Sequence, residues 1–182
     1  MRALLLTLAL LLPTAASAQR SGTYTIGGAS PDYATISEAV SDLDDFGLGG
    51  PVTFLLRPGV YSDQINPGAL GTSATNTFEI RSEHPSNRAT IKVDATAAAN
   101  YVWRINNTKF VTFRDIDFIE ANNDAFGRIL VIEGTSSDIT VDGCTFSGRI
   151  GALTDSGSLG WADPSSHDYL TFTGNTFTSG YG

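Results

Sequence analysis

The chain has 182 residues, 41% of them hydrophobic, and its 19 acidic against 11 basic residues give a net charge of −8. This excess of negative charge argues against nucleic acid and against anionic membrane surfaces as partners, because both are bound through clustered Lys and Arg. Cys144 is the single cysteine, which excludes an intrachain disulfide framework.

Residues 1–18 have the pattern of a secretory signal peptide. A positive charge near the start precedes an apolar run at 3–12, which is too short to span a bilayer with margin, and Ala16–Ala18 offers small residues for cleavage. A retained membrane anchor is the alternative, disfavoured because the run ends at Pro13. The sequence therefore predicts a secreted or cell-surface protein without membrane insertion after signal removal.

Residues 19–50 are predicted to hold a short strand and one capping helix. Thr35 and Glu38 have the spacing of a capping box, in which each side chain satisfies a free backbone N–H group. Apolar residues follow at helical spacing as far as Phe46, and Gly47 is a natural stop. We expect this amphipathic helix, Thr35–Phe46, to cover the amino-terminal end of the core that follows.

Three stretches, 111–118, 139–146 and 170–177, can be aligned with one another, and their first residues are 28 and then 31 positions apart. Spacings of this size are typical of stacked repeats, whereas propeller blades recur at about 40 residues and sandwich strands do not repeat. The repeats predict that residues 51–182 form the coils of an all-β solenoid. The three expected inward columns are Val111, Ile139 and Leu170; Phe113, Val141 and Phe172; and Phe118, Phe146 and Phe177.

Two further expectations follow from the alignment. Cys144 occupies the column of Ile116, which predicts a buried structural thiol and not a nucleophile. The chain stops at Gly182, soon after a repeat and without the polar cap that closes a solenoid. We therefore expect the coils of 51–182 to be truncated, as the amino-terminal portion of a longer protein.

Two sets of residues carry a resemblance to a known family. The segments Asp32–Val40, Gly50–Phe54 and Pro58–Tyr61 look like the amino-terminal helix and first coil of pectin methylesterases and their non-enzymatic relatives. The repeat, with its Thr-Phe ending, resembles the coils of secreted bacterial proteins of the pectin-lyase-like superfamily. The resemblance implies a right-handed parallel β-helix with an amino-terminal capping helix, and contact with extracellular polysaccharide.

The catalytic motifs of enzymes in that superfamily are not matched, so the catalytic residues stay unknown. The esterases use two Asp, an Arg and a Gln, yet no Gln follows Gln64. The lyases use a Ca²⁺-binding carboxylate cluster with a basic residue, which Arg114, Asp115 and Asp117 imitate only in part. Asp115 and Asp117 are expected to point to different sides of their turn. Ca²⁺ is the one cofactor left open, and any enzyme would be a polysaccharide lyase or carbohydrate esterase with an incomplete site here.

Five residues are candidates for binding carbohydrate: Arg114, Asp142, Trp161, Asp163 and His167. Arg114 and Asp142 share a column, where they form either a surface ion pair or a site for a sugar acid. Trp161 lies in an insertion at 149–166, where it would stack on a sugar ring or cover the flank of the core. The two histidines, His84 and His167, are too far apart for a metal site and are expected to be solvated.

The sequence thus favours an exported module that binds or helps to process extracellular polysaccharide. The alternative is a non-catalytic surface or adhesion stalk, in which the solenoid supplies reach. Expected partners are accordingly extracellular polysaccharide or other cell-surface components. An acidic cluster with Arg or Lys in coils beyond Gly182 would favour an enzyme. Many more featureless repeats and a carboxy-terminal sorting domain would favour the stalk.

Overall fold

The structure is a computed structural model, and it describes residues 18–121, 126–148, 158–165 and 167–178. It confirms the predicted all-β solenoid, a parallel β-helix with one amino-terminal helix. The predicted signal peptide lies outside the described residues except for Ala18. Within the described ranges, no helix is long and apolar enough to cross a membrane.

One helix and fourteen strands make up the described part of the chain, and every strand pairing is parallel. In chain order they are β1 (Arg20–Ile26), α1 (Ile36–Phe46), β2 (Leu48–Leu56), β3 (Val60–Tyr61), β4 (Phe78–Ser82), β5 (Thr90–Val93), β6 (Trp103–Asn106), β7 (Lys109–Arg114), β8 (Asp117–Glu120), β9 (Leu130–Glu133), β10 (Ser137–Asp142), β11 (Thr145–Ser147), β12 (Gly160–Ala162), β13 (Leu170–Thr173) and β14 (Thr176–Thr178).

These strands form three sheets that wind around one core. The six-stranded sheet has the order β1-β2-β4-β7-β10-β13, the five-stranded sheet β3-β5-β8-β11-β14, and the three-stranded sheet β6-β9-β12. Three turns, β4–β6, β7–β9 and β10–β12, each contribute one strand to each sheet in succession. This arrangement buries one face of every sheet and leaves the other face outward.

The register confirms the columns predicted from the repeats. Ile139 pairs with both Val111 and Leu170, and Phe146 pairs with both Phe118 and Phe177. The ring centroids of Phe118 and Phe146 are 5.3 Å apart, those of Phe146 and Phe177 are 5.1 Å apart, and both pairs are stacked. The aromatic column expected from sequence is therefore a continuous stack.

The expected structural role of the cysteine is also confirmed. Ile116 and Cys144 are both fully buried in the core. Burial raises the pKa of the Cys144 thiol to about 11, so the reactive thiolate is scarce at neutral pH.

Helix α1 closes the core beside β1, as predicted. Its N-cap residue Thr35 accepts a 3.1 Å hydrogen bond from the Glu38 backbone N–H through its hydroxyl oxygen. The Glu38 carboxylate accepts a hydrogen bond from the N–H of Ala34, one residue before the position that an ideal capping box uses. The helix ends at Gly47, whose N–H donates to the Leu43 carbonyl at a φ of 71° that favours glycine. Its buried side chains are Ile36, Ala39, Val40 and Leu43.

A polar cluster fastens α1 to the first strand. Asp42 accepts hydrogen bonds from the Arg20 guanidinium and, at 2.6 Å, from the Tyr33 hydroxyl. The bond from Arg20, with a smaller contribution from Tyr33, lowers the pKa of the Asp42 carboxyl group against the opposing effect of burial. The cap is thus held by charge-assisted bonds as well as by apolar packing.

The aromatic stack provides a test of the fold. We expect Phe146→Ala to lower the free energy of unfolding by about 3–5 kcal/mol, because the fully buried ring would leave a cavity between two neighbouring rings. Phe177→Ala removes the same ring from a position where the residue is 52% exposed, so its cost should be less than half as large. Urea unfolding of both variants measures the difference, and equal costs would contradict the inward column.

Candidate functional site

The five predicted carbohydrate-binding residues lie in three places. Arg114 and Asp142 are on the outer face of the six-stranded sheet, and Trp161 is in the three-stranded sheet. Asp163 and His167 lie between these sheets, at the corner that follows β12. The structure therefore brings together the first two and the last two, but not all five.

Trp161 lies in strand β12, whereas the sequence analysis placed it in an insertion at 149–166. It pairs with Val131, while its neighbours Gly160 and Ala162 pair with the core residues Leu130 and Ile132. Alternation along the strand therefore turns the indole away from the core. The guanidinium carbon of Arg128 lies 4.0 Å from the centroid of the Trp161 ring, a cation–π contact. One face of the indole is thus already covered within the chain.

The corner formed by Asp163 and His167 is structural in its geometry. His167 Nε2 lies 2.8 Å from Asp163 Oδ1, and His167 Nδ1 lies 3.1 Å from the carbonyl oxygen of Ser136. The imidazole side chain is only 5% exposed, so the expectation of a solvated histidine was wrong here, although His84, at 62%, is solvated. These contacts hold the segment that leads to Tyr169 against the preceding coil.

Arg114 is the centre of a charge ladder on the six-stranded sheet. Its Nε atom lies 3.5 Å from Asp142 Oδ2 on one neighbouring strand and 3.7 Å from Glu79 Oε1 on the other. Glu79 in turn lies 4.0 Å from the Nε atom of Arg81. The pair with Asp142 was predicted, whereas Glu79 belongs to a coil that the sequence repeats do not cover. Exposed pairs of this kind contribute less than about 1 kcal/mol each, so the ladder mainly fixes side-chain positions.

A cleft of about 460 Å³ lies beside this ladder, on the outer face of the same sheet. Its floor is a row of outward side chains from four successive strands, namely Glu79, Thr112, Thr140 and Thr171. Arg114 also lines it, and its size falls within the range of ligand sites. The threonine hydroxyls can each donate and accept a hydrogen bond, which suits a polyhydroxylated ligand.

One wall of the cleft is built from three residues in an unusual backbone conformation. Val111, Ile139 and Leu170 form one column of the six-stranded sheet. The residues immediately before them, Phe110, Asp138 and Tyr169, all line the cleft. Their φ angles are 51°, 56° and 57°, in the left-handed region that costs bulky residues about 1–2 kcal/mol. Tyr169 is 79% exposed, so burial of its side chain does not offset the free-energy cost of this conformation. Two aromatic residues, Phe110 and Tyr169, thus line the cleft in this conformation.

Sequence reasoning missed Glu79, Phe110, Asp138 and Tyr169. The alignment contained a signal for the last three, because extending each repeat by one residue towards the amino terminus places them in one column. Nothing in the residue types alone indicated that this column adopts the left-handed conformation.

Two acidic turn residues contact the same basic side chain. Asp115 Oδ1 lies 3.6 Å and Asp117 Oδ1 lies 3.5 Å from the guanidinium of Arg88. The expectation that they point to different sides was therefore wrong, since both converge on one cation. Within the described ranges, no group of three or more His, Cys, Asp or Glu residues is arranged to hold a metal ion.

No family model, no curated protein and no solved structure matches this chain.

Acid should weaken the corner around Asp163. The hydrogen bond from the Gly134 N–H, followed by bonds from Ser165 and His167, lowers the pKa of this carboxyl group from 3.8 to about 2, against the opposing effect of burial. A depressed folded-state pKa stabilises the fold above the unfolded value, and this stabilisation disappears as the pH falls from about 4 towards 2.

We therefore expect Asp163→Asn to flatten the decline in the free energy of unfolding between about pH 4 and pH 2. Chemical denaturation at several pH values measures this slope. Asp45→Asn, on the exposed side of α1, removes the same charge elsewhere and serves as the control. Identical slopes in the wild type and the Asp163 variant would disprove the assignment.

Proposed function

We propose that this protein is exported and binds extracellular polysaccharide through the cleft on its six-stranded sheet. The observation that carries the proposal is the pair of aromatic residues, Phe110 and Tyr169, in left-handed conformation at the wall of a hydroxyl-lined cleft. Aromatic rings offer flat apolar faces to the C–H surface of a sugar ring, and hydroxyl rows match its polar rim.

Several properties of the chain support this assignment. The apparent signal peptide at 1–18 supports secretion or surface attachment, and the resemblance to pectin-lyase-like proteins supports polysaccharide as partner. Arg114 is within 4 Å of both Glu79 and Asp142. Both carboxylates are therefore engaged in ion pairs, and the proposal is for binding and not for catalysis.

Replacing Tyr169 with glycine tests the proposal cleanly. Tyr169→Gly removes the exposed ring and also relieves the left-handed strain, so the free energy of unfolding should stay within about 1 kcal/mol of the wild type. Binding of the chain from Gln19 onward to its best ligand on a polysaccharide array should be lost. Calorimetric titration with that ligand gives the affinity, and thermal unfolding confirms the intact fold.

The control is Trp161→Ala, which removes an aromatic ring from a different sheet. We expect this variant to bind as the wild type does. Loss of binding in the Trp161 variant with retention in the Tyr169 variant would move the site to the three-stranded sheet. Uniform silence of the wild type on the array would favour the adhesion-stalk alternative.

A further inference from the structure

We infer that the cleft selects a linear, uncharged polysaccharide and holds it across the strands, along the axis of the solenoid. This inference rests on the proposed function and adds to it the direction and the chemical class of the ligand. It is carried by the order of the lining residues and by the way their charges are paired.

The direction follows from which strands contribute to the cleft. Glu79, Thr112, Thr140 and Thr171 are in register on β4, β7, β10 and β13, so the floor crosses four strands. Neighbouring strands are about 4.8 Å apart, and the floor is therefore about 14 Å long in the direction of the solenoid axis. A ligand that uses the whole floor must be extended along this axis.

The spacing of the residues along the cleft wall matches the repeat of a sugar polymer. Phe110 and Tyr169 are two strands apart, a separation of about 10 Å, which is comparable to the length of two linked pyranose rings. Asp138 lies on the strand between them and has a carboxylate that accepts hydrogen bonds. Alternate sugar rings of one chain can thus stack on the two aromatic residues while the intervening ring donates a hydroxyl hydrogen bond to Asp138.

The charges of the cleft disfavour a sugar acid. Arg114 is the cation that lines the cleft, and its guanidinium already lies between Glu79 and Asp142. A uronate would have to displace one of these carboxylates and would also approach Asp138. Because the carboxylates of Glu79 and Asp142 are paired with Arg114, an uncharged ligand meets no charge repulsion at the ladder.

The length of the ligand tests the direction. The chain from Gln19 onward is titrated with uncharged β-linked gluco-oligosaccharides of two to six units. We expect the binding affinity to rise with the length of the oligosaccharide and then to level off. Phe110→Ala should weaken binding of the hexasaccharide by about two- to tenfold and binding of the disaccharide by a smaller factor, because only the longer chain reaches both rings. Equal affinities for all lengths would overturn the inference.

The chemical class is tested with hexamers of matched length, one uncharged, one of galacturonate and one of glucosamine. The uncharged hexamer should bind most tightly. The double variant Glu79→Gln/Asp138→Asn should gain affinity for the galacturonate hexamer, because it removes one of the two carboxylates paired with Arg114 and also the Asp138 carboxylate of the cleft. The control variant Asp45→Asn/Asp94→Asn changes the net charge equally at two exposed sites and should show no such gain.

Failure of this inference is distinguishable from failure of the proposed function. Binding that depends on Tyr169 but prefers the galacturonate or glucosamine hexamer overturns the inference and leaves the proposed function standing. Binding by no oligosaccharide, and by no polysaccharide on the array, overturns both.

Discussion

In-register parallel stacking is the constraint on which the whole molecule depends. Each strand pairs with the equivalent strand of the next turn, so a residue type that recurs in the sequence becomes a column in space. On the inside this produces the stack of Phe118, Phe146 and Phe177. On the outside the same rule aligns Phe110, Asp138 and Tyr169, the column that we propose to bind a repeating ligand.

Stability and the proposed function draw on different parts of each turn. The core contributes the apolar burial, while the left-handed residues at the cleft wall are strained and must be held in place by their surroundings. His167 and Asp163 supply such support for Tyr169, because they bind the segment before it to Ser136 and Gly134 of the preceding turn. Asp163 and His167 were predicted to contact carbohydrate, but their contacts position the segment before Tyr169, a residue that the sequence analysis overlooked.

The features that sequence reasoning predicted correctly arise either from local patterns or from the repeat. The helix was visible because its cap, apolar face and stop lie within a dozen residues, and the structure places them at Thr35, Ile36–Phe46 and Gly47. The register and the burial of Cys144 were visible because the repeats are nearly identical in length, so that equivalent positions must coincide in a stacked coil. These features fix the architecture of the chain.

The candidate site depended on contacts that no local pattern records. Glu79 contacts Arg114 from a coil whose sequence does not align with the repeats. Trp161 lies in a strand because β12 pairs with β9 of the preceding coil. The left-handed turn of Tyr169 and the burial of His167 are likewise set by neighbouring coils about 30 residues away. A repeat reveals which residues share a column and which columns face inward, but the charge partners of each side chain follow from the packing of successive turns.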